Sequence, residues 1–338
     1  MLEKNSISGV SLAGIATCIP ENVIENSSLV NNSFEAKEIE KISKMIGVKQ
    51  RHVTKEGQTM ADLSEKAALE LLSSLNLNPE DIGGLIVVTQ TPEVKIPAQA
   101  AILQNNLKLP LSSICFDINL GCSGYIYGLF IAGNLSNSIQ KPVLLIAGDT
   151  SSKICDPKDK ATAFLFGDAG SATIINPDPQ ASSWDFVLGT DGSGWDALYI
   201  AGGGYRDTSN QDTFFRMKGE KVFEFTLDIV PKMYKTLYGN NLEKARENSW
   251  HFWHQANAFI LNHLIKKLKL PTERVPVRME HYGNTSSGSI PLTICDVFGS
   301  EINSCSERVN LCGFGIGLSW GLATITLNNT KILPVSFL

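Results

Sequence analysis

The 338-residue chain has no C-x-x-C pair among its seven cysteines, no H-E-x-x-H and only five histidines. Those absences remove the common zinc spacings, so no metal and no resident cofactor are assigned. The cysteines, at 18, 115, 122, 155, 295, 305 and 312, are odd in number and widely scattered. A chain this long does not need a disulfide framework, and reduced thiols in a cytoplasmic location are expected. Positive charge is not in excess: 29 Lys and Arg against 34 Asp and Glu give a formal charge of −5. That balance excludes a non-specific nucleic-acid binder. The first residues carry Glu3 and Lys4 before a stretch broken by Gly and Ser, Ile7 to Pro20. This lacks the cationic start and apolar centre of a signal peptide and reads as a first strand and turn. Low-complexity tracts and short-period repeats are missing too.

What is present is an ordinary globular composition, 43% hydrophobic and 19% charged, with length for roughly two domains. Strand-like and helix-like runs alternate, which favours a layered α/β architecture. Gly84 to Thr89, Val143 to Gly148 and Ala169 to Ile175 read as buried strands, and a boundary is expected near residue 180. Met60 to Asn76, Pro97 to Leu107 and Ser123 to Ser136 read as helices of the first half. Lys221 to Leu237, Ala256 to Leu268 and Ile290 to Phe298 read as helices of the second, and two strand-like runs around Gly317 to Thr326 close it. Gly189 to Asn210, rich in Gly, Asp and Ser, reads as an exposed loop. One segment imitates a membrane span, since Ile118 to Gln140 carries no charge. Asn119, Asn134, Asn137 and four glycines inside it point instead to a helix buried at the centre of the protein, and no membrane partner is expected.

Cys122 lies between a strand-like run and that uncharged helix, in Asp117-Ile118-Asn119-Leu120-Gly121-Cys122-Ser123-Gly124-Tyr125. A thiol at a helix N-terminus faces unpaired N–H groups that stabilise the thiolate, so a lowered pKa and a nucleophilic role are expected. Taken alone, a single cysteine is more often part of a core. His254, in Trp250-His251-Phe252-Trp253-His254-Gln255-Ala256-Asn257, stands against aromatic walls that favour a neutral imidazole. Asn284 sits on a small-residue loop, His281-Tyr282-Gly283-Asn284-Thr285-Ser286, where Asn commonly makes turns. Only the three together carry weight.

In that combination the chain resembles the thiolase-like condensing enzymes, and within them β-ketoacyl-acyl carrier protein synthase III. The resemblance runs in order through Gly47-Val48-Lys49-Gln50-Arg51-His52, Thr91-Pro92, the Cys122 turn, Cys155-Asp156-Pro157 and Phe166-Gly167-Asp168. It continues through His254-Gln255-Ala256-Asn257, Tyr282-Gly283-Asn284-Thr285-Ser286 and Gly313-Phe314-Gly315. It implies a duplicated αβαβα fold with two mixed five-stranded sheets, its halves at residues 1–180 and 181–338, in a homodimer. It also implies that Cys122 takes an acyl group as a thioester, while His254 and Asn284 hold the thioester carbonyl of a malonyl extender. The implied partners are acyl carrier protein and acyl-CoA or another acyl thioester, in fatty-acid initiation or a specialised pathway.

The sequence departs from the family pattern at several positions. After Gly313-Phe314-Gly315 the family continues with glycine, whereas this chain has Ile316, a β-branched residue beside the expected oxyanion site. At the coenzyme A mouth Lys41 replaces a tryptophan, Met45 an arginine, and the basic residue after Cys155-Asp156-Pro157 is Lys160. A lysine offers a point charge in place of a stacking ring or a bidentate fork. Phe259 stands where the family often has an arginine that docks the carrier. The glycine replaced at 316 motivates an alternative, transfer of the acyl group to an alcohol or amine with His254 as base. A non-catalytic partner subunit and a papain-like hydrolase are further readings, opposed by the intact trio and by the surroundings of Cys122.

Overall fold

The computed structural model describes residues 2–30, 34–239, 241–247, 249–299 and 306–338, so Cys305 falls outside them. The first two strands part at once, β1 (Asn5–Ile7) joining one sheet and β2 (Val10–Ile19) the other. β3 (Val23–Glu25) and β4 (Gln50–His52) pair only with each other. The first large sheet takes β2 with β5 (Gly84–Val88), β6 (Ile114–Ile118), β7 (Val143–Thr150) and β8 (Asp168–Pro177) in the order β2-β8-β7-β5-β6. The second takes β1 with β9 (Trp184–Thr190), β12 (Trp250–Trp253), β13 (Arg308–Gly315) and β14 (Ser319–Thr326) in the order β1-β9-β14-β13-β12. β10 (Leu198–Ile200) and β11 (Phe215–Met217) form a separate antiparallel pair. Two short strands late in the chain, β15 (Lys331–Ile332) and β16 (Ser336–Phe337), add to β2 of the first sheet. Each five-stranded core is mixed, with β7-β5-β6 parallel in the first and β12-β13 parallel in the second. The late strands widen the first sheet beyond the five expected, because β2 otherwise leaves an open edge.

Helices alternate with the sheets as layers. α1 (Ala36–Ile46) packs against α7 (Ala258–Leu268), and α2 (Met60–Leu75) and α3 (Gln99–Asn106) cover the outer face of the first sheet. α5 (Gly219–Tyr238) covers the outer face of the second, with α7 (Ala258–Leu268) packed on α5, and α6 (Glu243–Arg246) and α8 (Met279–Tyr282) are short turns of helix. Between the sheets run α4 (Gly124–Ile139), touching β5, β7, β8, β13 and β14, and α9 (Ser289–Phe298), touching β2, β8, β12 and β13. The uncharged stretch that imitates a membrane span is therefore this central helix, and no helix among the described residues is long and apolar enough to cross a membrane.

Local chemistry sets the helix ends. Thr59 and Asp62 cap α2 reciprocally, the Thr59 N–H donating to the Asp62 carboxylate at 2.7 Å. Asn257 caps α7, its side chain accepting the Ile260 N–H at 2.8 Å, which places the start of that helix two residues later than the sequence suggests. Gly189 to Asn210 is less open than its composition implies. It contains the end of β9 and all of β10, which pairs antiparallel with the next strand, β11, across the loop between Ile200 and Phe215.

Candidate active site

Cys122 sits on the turn between β6 and α4, only 8% exposed. β13 runs directly against it, since a methyl group at Gly315 would lie 2.7 Å from Cys122 Cβ and 2.9 Å from Sγ. Glycine is required there for that approach. The N–H groups of Cys122 and Ile316 and the Ser286 hydroxyl lie close enough to the sulfur to favour its charged form. Ile316 itself lies outside the left-handed region; the positive φ of this loop, 134°, falls on Gly317. The left-handed position of this loop is therefore taken by Gly317, and Ile316 carries no backbone strain.

His254 follows β12 and is held by its backbone N–H, which donates to the Cys312 carbonyl of β13 at 2.8 Å. Its Nδ1 lies 2.8 Å from Ser289 Oγ at the start of α9, and its Nε2 faces Asn284 Nδ2 at 3.5 Å. Asn284 is fixed in orientation, its Oδ1 accepting the Ser286 N–H at 2.9 Å while Nδ2 donates to the Ala256 carbonyl at 3.3 Å. Its backbone is clamped to the segment before β8, donating to the Leu165 carbonyl and accepting from Gly167 N–H. Gln255 braces the same loop, donating to the Trp253 and Pro276 carbonyls and accepting from the Arg278 N–H.

A cavity of about 290 Å³ joins these groups, with Cys122, His254 and Asn284 all on its wall. Ile316 lines it as well; Lys41, Lys160 and Phe259 do not. Lys41 is exposed on α1, and Lys160 is paired with Glu38 at 2.5 Å. Phe259 is 45% exposed and packs with tilted rings against Phe223 and His263 in a surface cluster. Sequence reasoning missed four contributors. Asp149, fully buried at the end of β7, accepts from Gln90 N–H at 2.7 Å and from the Ser287 hydroxyl at 2.7 Å, tying the end of β5 to the Asn284 loop. Ser286 reaches the sulfur, and Gln90 and Asn119 line the cavity. None of them belongs to a recognisable local pattern, and only the sheet topology brings them together.

The expectation of an ionised sulfur is corrected by the structure. Burial pushes the Cys122 thiol up to about 12, with Asp149 adding to the rise; the N–H groups of Ile316 and Cys122 only partly offset it. Burial therefore opposes a standing thiolate at Cys122. Burial also lowers His254 to about 3, so the imidazole beside it is neutral, as expected. Among the described residues no group of three metal-ligating side chains occurs.

Burial of His251 has a measurable consequence for stability. Its ring lies between the Tyr234 hydroxyl and the Ala245 carbonyl, and burial lowers it to about 4. Unfolded imidazoles take up protons below about pH 6.5 while the folded His251 and His254 do not. Their stabilisation is complete above that pH and is lost as pH falls toward 4, about 2 kcal/mol for His251 at pH 5. Asp149 and Asp168, raised by burial, act in the opposite sense. The difference in melting temperature between the native chain and His251→Gln is therefore expected to change steadily from pH 7 to pH 5. Scanning calorimetry that finds a pH-independent difference refutes this.

The comparisons with known proteins meet this geometry. Residues 116–192 match the family model described as 3-Oxoacyl-[acyl-carrier-protein (ACP)] synthase III, and residues 241–327 match its C-terminal counterpart. The chain is 34% identical to the β-ketoacyl-[acyl-carrier-protein] synthase III of Clostridium tetani, over 82% of this chain and 87% of that one. It is 33% identical to the corresponding protein of Clostridioides difficile, over 93% and 97%. The chain belongs to the 3-oxoacyl-[acyl-carrier-protein] synthase III family. A crystal structure of 3-oxoacyl-(acyl-carrier protein) synthase from Burkholderia xenovorans superposes with a TM-score of 0.93 at 36% identity, covering 100% of this chain and 99% of that one. The thiolase-like layering that the sequence resemblance implies is the fold observed. Family membership makes the chain an acyl-transferring condensing enzyme, and it gives the convergence of Cys122, His254 and Asn284 a chemical setting.

Proposed function

We propose that this enzyme loads an acyl group onto Cys122 and condenses it, with loss of carbon dioxide, with a malonyl unit on acyl carrier protein, giving a 3-oxoacyl product. The observation that carries this reading is the opening of Cys122 Sγ, His254 Nε2 and Asn284 Nδ2 onto one cavity. In the first half, Sγ attacks the donor thioester carbonyl, and the oxygen that becomes charged is received by the N–H groups of Cys122 and Ile316. The bond to the departing sulfur breaks, and the thiol proton ends on that leaving thiol. Ionisation accompanies attack because burial opposes a standing thiolate.

In the second half, His254 Nε2 and Asn284 Nδ2 serve as neutral donors to the carbonyl oxygen of the malonyl thioester. Breaking the bond to the carboxylate releases carbon dioxide and leaves an enolate on that oxygen, which two donors in a water-poor site stabilise. The enolate carbon attacks the acyl group on Cys122; the carbon–carbon bond forms as the carbon–sulfur bond breaks, and Sγ regains a proton. Incubation of the protein with an acyl thioester and malonyl carrier protein is expected to release carbon dioxide and a 3-oxoacyl carrier protein in equal amounts. An ester or amide formed from an added alcohol or amine without carbon dioxide would overturn the reading. Ile316 gives that alternative no support, since its backbone is unstrained and its N–H still lies beside the sulfur.

For the carrier, the surface around Phe259 offers packed rings with Lys266 and Lys267 on the same helix, an apolar contact beside positive charge. Lys160, neutralised by Glu38, contributes less there than its position in the sequence suggests. The homodimer rests on β6. Among the described residues this strand pairs only with β5, and its other edge shows Ile114 at 45% exposure beside half-buried Phe116 and Ile118. A second copy pairing along it would cover that edge. Light scattering is expected to give the mass of two chains; the mass of one refutes it.

A further inference from the structure

The wall of the cavity changes character on the two sides of Cys122. Toward β10, β11 and α5 it is apolar, with Leu198, Phe215, Met217 and Val222. Toward the ends of β5 and β6 it is polar, with Gln90, Thr91 and Asn119. A subsite for a plain alkyl group has no need of carboxamides beside the nucleophile.

These polar groups are placed, not merely nearby. The Gln90 backbone is pinned by its N–H to Asp149, and its Nε2 donates to Asn119 Oδ1 at 3.1 Å. Thr91 Oγ1 is already engaged with Asp149 and the Thr150 N–H. That leaves Gln90 Oε1 as an acceptor and Asn119 Nδ2 as a donor, neither with a partner among the described residues. Gln90 Oε1 is close to the nucleophile turn, since a methyl group at Gly121 would lie 2.5 Å from it and 3.2 Å from Ile316 Cδ1. Ile316 thus places an apolar methyl beside the carboxamide pair and narrows the space next to Cys122.

One acceptor and one donor, side by side, match a hydroxyl group, which gives one proton and accepts another. We propose that the acyl donor is a short hydroxyacyl thioester whose hydroxyl donates to Gln90 Oε1 and accepts from Asn119 Nδ2, in a subsite that Ile316 keeps too narrow for a long chain. The proposal rests on the acyl-Cys122 reading. Gln90 is half-buried and Asn119 exposed on the single chain, and pairing of two chains along β6, which leads directly into Asn119, would shield that rim from water. A site built to bond a hydroxyl rejects the analogue that lacks one, because its own polar groups are then left unpaired.

The test compares acylation rates of Cys122 with butyryl- and 3-hydroxybutyryl-pantetheine, followed by intact mass, with octanoyl-pantetheine as the long-chain probe. The hydroxyacyl thioester is expected to react about tenfold faster or more than butyryl, and octanoyl more slowly than either. Gln90→Met and Asn119→Leu are each expected to bring the hydroxybutyryl-to-butyryl ratio close to one. Equal rates in the unsubstituted protein, or a ratio that survives both substitutions, would overturn the proposal. Absence of an adduct with any thioester would overturn the acyl-cysteine reading beneath it.

Discussion

Replacing Cys122 with alanine is expected to abolish condensation, a fall of about ten-thousandfold or more, because no other group can carry the acyl chain between the two half-reactions. The six described cysteines are all free thiols, but only Cys122 lines the cavity. Cys312, on β13 behind the site, is completely buried and raised in pKa by that burial, so it cannot substitute. Intact mass after incubation with an acyl thioester should show one adduct on the native chain and none on Cys122→Ala. An adduct that persists in the variant would remove the nucleophile assignment. Because burial opposes a standing thiolate at Cys122, the acylation rate is expected to depend chiefly on how well the donor carbonyl is held against the Cys122 and Ile316 N–H groups.

His254→Ala and Asn284→Ala are each expected to lower malonyl decarboxylation by about 100- to 1,000-fold, the usual cost of deleting one donor from a preorganised pair. Acylation of Cys122 should continue in both variants, because its oxyanion is received by backbone N–H groups that neither change removes. Carbon dioxide release and adduct formation, measured on the same samples, separate the two half-reactions. A parallel fall in both would show that His254 and Asn284 act on the nucleophile and not on the extender. The two losses are not expected to add, since the donors lie 3.5 Å apart and share one oxygen.

Much of the fold was readable in the residues. The charge-free stretch after Cys122 became α4 between the sheets, and the runs at Gly84, Val143 and Ala169 became β5, β7 and β8, because burial on both faces leaves an unbroken apolar signature. The pairing of β10 with β11 across their connecting loop was not readable, and it turned a polar-looking loop into a wall of the cavity. Cys122, His254 and Asn284 stood out because each sits in a distinctive local context. Asp149, Ser286, Gln90 and Asn119 did not, since their roles depend on where separate strands end in space. The charge state of the sulfur was misread for a related reason. Position at a helix start is visible in sequence, whereas the depth at which that start is buried is not, and depth prevails.

The crossing of the outermost strands has a mechanical consequence. β1 belongs to the sheet built by the later residues, and β15 and β16 to the sheet built by the earlier ones, so each half is stitched into the other. A clamshell motion that swung the halves apart would have to tear those seams. The β10–β11 ribbon, a separate pair whose Leu198 and Phe215 are buried in the same core, completes the apolar wall, so the reacting groups sit in a frame that does not open by hinging.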